Sequence, residues 1–161
     1  MNNGTKKLKK KWKDIMTFED KFMEIQIDMV SLAMEYVHNQ ADKIFIYCVA
    51  EGFYSFDVFF KTNNHYLDRD EIAGYLPNEI DSSDEIQFSL LGIGAQDIER
   101  MVKLCKEYNR EHPTEMWLIY DAQKNSLDSR YSYEGRYDKD EELLPNLEFE
   151  KWFEEVKENQ L

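Results

Sequence analysis

Residues 43–60 read Lys43-Ile44-Phe45-Ile46-Tyr47-Cys48-Val49-Ala50, Glu51-Gly52-Phe53, then Tyr54-Ser55-Phe56-Asp57-Val58-Phe59-Phe60. The first eight are rich in β-branched and aromatic side chains, the content of a strand. Glu51-Gly52 is a tight-turn signal. Beyond it Tyr54, Phe56, Val58 and Phe60 alternate with Ser55, Asp57 and Phe59, the period-two pattern of a half-buried strand. Thr62-Asn63-Asn64 supplies another turn, and His65-Tyr66-Leu67 opens a third strand. Strands joined this closely form an antiparallel meander, and the meander decides the fold class.

The flanking sequence has a different period. Thr17-Phe18-Glu19-Asp20 is a helix start, with Thr17 as the cap and Asp20 at the capping-box position. Ile15, Phe18, Phe22, Ile25, Met29, Leu32 and Tyr36 then recur at spacings of three and four, one apolar stripe along a long helix. Downstream, Ser83-Asp84-Glu85 caps a short helix through Leu91, and Gly92-Ile93-Gly94 reads as a helix break. From Ala95 the helical period returns through Ile98, Met101, Val102, Cys105 and Tyr108, and Pro113 closes it. Glu115 to Asp121 is a strand, residues 122–125 a turn, and Leu127, Ser129, Tyr131 and Tyr133 alternate along another strand. Phe149, Trp152, Phe153 and Val156 mark a short amphipathic helix. No regular βαβ alternation occurs. The expected class is α+β: an antiparallel sheet of four to five strands, with a long N-terminal helix, a central helix and a short C-terminal helix packed on one face. Residues 1–13 read as a flexible Lys-rich tail and residues 14–161 as a single domain.

Chemistry is sparse. Cys48 and Cys105 are too few and too far apart for a disulfide framework or a zinc site, and they read as buried free thiols. His38, His65 and His112 lack metal-ligand spacing. Gly92-Ile93-Gly94 lacks the third glycine of a phosphate-binding loop. There is no nucleophile elbow, and the acids at 138–142 lack the loop spacing and central glycine of a calcium-binding hand. A carboxylate pair for hydrolysis has no motif to recommend it. No cofactor and no enzymatic activity are expected. No apolar run reaches the roughly 18 residues of a membrane span. Asp14, Glu19, Asp20, Lys21 and Glu24 interrupt any secretory leader after the basic head, so a cytoplasmic location is expected.

Charge is the remaining clue. The net charge is −13 over 161 residues. Residues 1–13 hold six lysines and no acid, so the body from Asp14 onward carries 14 basic against 33 acidic residues, a net of −19. Such a body repels nucleic acid and anionic membranes and attracts cationic protein surfaces. The surplus is concentrated in residues 68–99 and 134–158. Tyr133, Glu134, Tyr137, Asp138, Asp140, Glu141 and Glu142 form one candidate contact patch. Asp81, Asp84 and Glu85 form a second. Tyr131 and Trp152 accompany the first block as possible aromatic anchors, and Tyr75 and Phe88 the other. Charge runs usually mark solvated faces, and acidity also serves solubility.

Trp117-Leu118-Ile119-Tyr120-Asp121, a short turn, then Tyr131-Ser132-Tyr133-Glu134 with an acidic loop and Trp152 downstream, resembles the YezG-like immunity proteins. The long helix followed by a hairpin with the aromatic strand Tyr54–Phe60 resembles that family too. The Lys-rich head is not part of the pattern, and the strand end reads Ser-Tyr-Glu-Gly where a more hydrophobic approach would be expected. The resemblance spans about Thr17 to Glu158 and rests on element order and a Tyr-x-Tyr-acid strand end. It implies a cytoplasmic, non-enzymatic antitoxin that neutralises the C-terminal toxin domain, often a nuclease, of a secreted bacterial toxin. The expected partner is that domain's basic active-site surface, with no direct contact to nucleic acid or membrane. The alternative is an adaptor or chaperone for a secreted effector.

Overall fold

The computed structural model describes residues 3–7 and 16–161. Residues 3–7 are an exposed helical stretch, and the rest of the basic tail and Ile15 lie outside the described residues. The chain then runs α1 (Phe18–Tyr36), β1 (Lys43–Ala50), β2 (Tyr54–Thr62), β3 (His65–Asp68), a 3-10 turn (Ile72–Tyr75) and α2 (Asp84–Glu107). It continues through β4 (Glu115–Asp121), β5 (Ser126–Ser132), the single turn α3 (Arg136–Lys139) and α4 (Pro145–Glu158). The class is α+β with a five-stranded antiparallel sheet in the order β3-β2-β1-β4-β5. The first helical segment is thus the short one at 3–7. The 19-residue α1 follows it and opens at Phe18, directly after the Thr17 cap.

Local signals set the boundaries. The Asp20 amide donates to Thr17 Oγ1 (3.1 Å) and the Thr17 amide to Asp20 Oδ2 (3.3 Å), so the capping box closes at both ends. Asn63 and Asn64 both adopt positive φ (48° and 65°), which the two-residue hairpin between β2 and β3 requires.

The helices do not share one face of the sheet. Ile44, Ile46 and Cys48 of β1 join Phe56, Val58 and Phe60 of β2 in a core covered by α1 and α2. Phe45, Tyr47 and Val49, with Phe59, face the opposite way and pack on Phe149, Trp152 and Val156 of α4. The expectation of one covered face is therefore corrected. Its physical reason lies in the opening sequence: β1 is apolar at both parities, and a strand in that state must be covered twice. Phe59 stands among polar neighbours on its side of β2 for the same reason. It stacks on Phe45 (centroids 4.6 Å apart) and meets Trp152 edge-on (5.2 Å). Pairs of this kind contribute roughly 0.5–1.5 kcal/mol each beyond burial.

The expected break at Gly92-Ile93-Gly94 is also corrected, because α2 runs unbroken through it for 24 residues. Leu90, Gly94, Ile98, Met101 and Cys105 are buried, so the helical period passes through the glycine. A Cβ on Gly94 would lie 2.2 Å from Phe56 Cγ. The glycine is a point of close helix–sheet approach. Gly92 meets nothing within 4 Å.

Both cysteines are buried free thiols, as expected. Burial pushes the Cys48 thiol well above its ordinary value.

Candidate functional site

Glu115, the first residue of β4, is 1% exposed. It sits opposite Val49 of β1, on the sheet end where the 134–142 segment begins. A buried carboxylate must be paired and hydrogen-bonded, and this one is. Arg136 grips it with two parallel bonds, Nε to Oε2 at 2.9 Å and Nη2 to Oε1 at 2.5 Å. The Tyr47 hydroxyl donates to Oε1 at 2.5 Å. Arg136 also reaches Glu148 of α4 at 3.4 Å. The hydrogen bonds to Glu115 hold the guanidinium pKa above its usual range. Burial, then the bond to Glu115, pushes the Tyr47 phenol far up.

Further contacts pin the same segment. The Glu51 carboxylate, just past β1, accepts the Tyr137 amide (3.0 Å) and the Asp138 amide (2.5 Å). The Tyr137 and Tyr47 hydroxyls lie 2.8 Å apart. Thr114 Oγ1 donates to the Glu134 carbonyl (2.5 Å) and to the Ser132 carbonyl (3.1 Å). Residues 134–138 are therefore fastened to β1 and β4 by side chains that sequence spacing does not connect.

The fastening decides which side chains point outward. Glu134, Asp138, Asp140, Glu141 and Glu142 are exposed, and Tyr133 is 49% exposed beside Glu134. Arg136 counts as a neutralising base in the sequence, but its charge is spent on Glu115 and Glu148. Lys139 is the exposed base left within 134–142. Tyr137 is half-buried and stands edge-on to Phe53 at 5.7 Å, with burial first raising its pKa to about 12. It fixes the segment and is no free anchor. Trp152 is buried in the second core, and Tyr131 is bound to Gln26 of α1. Of the first block's aromatic candidates, Tyr133 is the exposed one.

Asp81, Asp84 and Glu85 are not brought to this patch. Asn78, just before them, exchanges hydrogen bonds with Gln40 at the opposite end of β1. Asp81 Oδ1 accepts the Ser83 amide at 3.0 Å, and Ser83 Oγ accepts the Ile86 amide as the cap of α2. The bond to Ser83 holds Asp81 below its usual value. Asp84 and Glu85 lie in the first helical turn, where carboxylates complement the helix dipole. All three side chains are exposed. Tyr75 and Phe88 nearby are 48% and 72% exposed.

A third acidic site is invisible in the linear sequence. Asp57 of β2, Asp68 at the end of β3, Asp70 and Glu71 after it, and Glu150 and Glu154 of α4 surround Arg69 in a cleft of about 440 Å³, walled by Phe149 and Phe153. Arg69 lies 3.7 Å from Asp57, and its Nε makes no hydrogen bond. Burial, only partly offset by Arg69, lifts the Asp57 carboxyl above its ordinary value. The usable signal was Glu150, Phe153 and Glu154 on one face of α4. What hid the site was the placement of α4 on the second face of the sheet.

Among the described residues no group of three or more His, Cys, Asp or Glu is arranged to hold a metal ion, and no helix is long and apolar enough to cross a membrane. No protein-family model matches the chain, and no curated protein matches it.

Proposed function

We propose that this chain is an immunity protein: it binds the cationic active-site surface of a cognate secreted toxin's C-terminal domain, a nuclease, and blocks it without catalysis. The observation that carries the reading is the clamp on residues 134–138. An acidic loop kept only for solubility needs no fixed backbone. Here Glu51, Glu115, Tyr47 and Thr114 hold the segment in place, while five carboxylates and Tyr133 remain outside. A pre-ordered surface loses less conformational freedom on binding than a loose one. Carboxylates fixed along it present the charge that a phosphate backbone would, and Lys and Arg side chains that hold phosphates pair with them instead. The net charge of −13 speeds the encounter by long-range attraction. Tyr133 supplies apolar contact that salt does not screen.

The test is to find a large secreted protein with a basic C-terminal domain encoded beside this chain's gene, to co-purify the full chain with that domain, and to follow with a nuclease assay. Formation of a complex with loss of nuclease activity supports the reading. An active toxin in the presence of excess chain contradicts it.

A second reading, an adaptor or chaperone for a secreted effector, has one observation in its favour. A groove of about 580 Å³ between α1 and the β4–β5 hairpin is lined by Met23, Ile27, Val30, Met34 and Leu127. That reading predicts affinity nearly indifferent to salt.

A further inference from the structure

The two edges of the sheet are built differently. β3 is only four residues long and is followed by a tight 3-10 turn. β5 is seven residues long, straight in its pairing with β4, and carries no proline or lysine to blunt it.

The orientation of its backbone groups follows from two bonds. The Ala50 amide donates to the Thr114 carbonyl (2.8 Å) and the Ala122 amide to the Asp42 carbonyl (2.9 Å). The even-numbered residues of β4 thus face β1 and its odd-numbered ones face β5. Through the β4–β5 register, Ser126, Asp128, Arg130 and Ser132 aim their backbone groups at β4. Leu127, Ser129 and Tyr131 aim theirs at the open edge.

The strand reads Ser126-Leu127-Asp128-Ser129-Arg130-Tyr131-Ser132, and it is self-complementary about Ser129. We propose that two copies of this chain pair antiparallel through β5 across a two-fold axis at Ser129, making one continuous sheet. In that register Leu127 opposes the second copy's Tyr131, and Ser129 opposes itself. These are the residues with outward backbone groups, so each pair exchanges both of its hydrogen bonds. Asp128 then opposes Arg130 of the second copy at a non-hydrogen-bonded position, where opposed side chains come closest. The two-fold axis makes this charge pair twice.

The side chains fit the arrangement. Asp128 and Arg130 are both exposed, and the ion pairs among the described residues do not include Asp128. The Arg130 guanidinium lies 4.3 Å above the Trp117 ring, which holds it along the outer face of the hairpin. On the other face, Met23 and Ile27 of α1 are 40% and 51% exposed beside Leu127, and the two-fold axis places both copies' grooves on the same side of the joined sheet. Charge self-complementarity selects a second copy over a foreign strand. The proposal does not depend on the acidic patch.

Sedimentation velocity on the full chain over a range of concentrations tests it. The unaltered chain forms dimers. Asp128→Arg alone, or Arg130→Asp alone, sets like charges opposite each other twice and weakens the dimer by about tenfold or more. The double change, Asp128→Arg with Arg130→Asp, restores the pairing and recovers the dimer. Both positions of exchange carry exposed side chains, and circular dichroism of each of the three variants checks that it is folded. A chain that stays monomeric throughout, or a dimer indifferent to both single reversals, overturns the proposal.

Discussion

The Glu115 carboxylate and the Arg136 guanidinium, 21 positions apart in the chain, meet through two bonds with the carboxylate 1% exposed. One end of this pair is the first residue of a central strand. The other lies within the segment that carries the exposed acids. This contact therefore links stability to the proposed interface.

Arg136→Met leaves Glu115 buried without its cation. The expected loss is about 2–4 kcal/mol, the lower part of the range for a broken buried pair because the arginine side is partly exposed. Arg136→Lys recovers only part, since an ammonium cannot repeat the paired geometry. Glu115→Gln combined with Arg136→Met costs less than Arg136→Met alone. Urea unfolding of the three variants measures the order.

The two glycines of α2 should respond with opposite signs. Gly94→Ala places a methyl carbon against the Phe56 ring and costs about 1–3 kcal/mol or more, because the helix must move off the sheet. Gly92→Ala adds a side chain in open space within a helix interior and gains roughly 0.5–1 kcal/mol. Thermal unfolding of the pair separates them. Equal effects would mean that Gly94 has no packing role.

Asp57 gives the pH test. Its folded pKa is raised above the ordinary 3.8 by burial. A carboxyl with a raised folded pKa favours the fold when protonated. Its contribution is present below 3.8 and is lost as pH rises through the folded value. Asp57→Asn should therefore raise the unfolding temperature at pH 7, with the gain fading as pH falls through the folded value towards 3.8. A variant less stable at neutral pH would mean that the Arg69 contact outweighs the cost of burying the charge.

The alkaline side has a similar marker. Burial, reinforced by Asp70, raises Tyr36 from 10.0 to about 12. The fold prefers the neutral phenol, so stability is full below 10 and declines as pH rises toward about 12. Tyr36→Phe removes this part of the decline, at the cost of the hydroxyl's 2.6 Å bond to the Arg69 carbonyl. Unfolding temperatures between pH 9 and roughly 12 compare the two slopes.

The strands were legible because their signals are local: β-branched runs, alternation and Asn or Gly turns. The capping box at Thr17 and the stripe from Phe18 to Tyr36 were legible for the same reason. The unbroken α2 was not, since a glycine that packs against Phe56 looks the same in sequence as one that ends a helix. The second face of the sheet was written in Phe45, Tyr47 and Phe59, but only to a reader asking what covers both parities of β1. The exposed acids of 134–142 could be named from charge alone. Their clamp could not, because Glu51, Glu115 and Tyr47 come from distant strands. The cleft around Arg69 was hidden by the same long-range assembly.

The most direct test of the proposed function is the affinity of the full chain for its cationic toxin domain, measured by titration calorimetry across a range of salt. The variant for comparison carries Glu134→Lys, Asp138→Lys and Asp140→Lys together. None of these three side chains bonds Glu115, Arg136 or Glu51. The account predicts that the unaltered chain binds more weakly as salt rises, and that the triple variant stays folded while its affinity falls by roughly a hundredfold or more. A triple variant that binds and protects as well as the unaltered chain would contradict it.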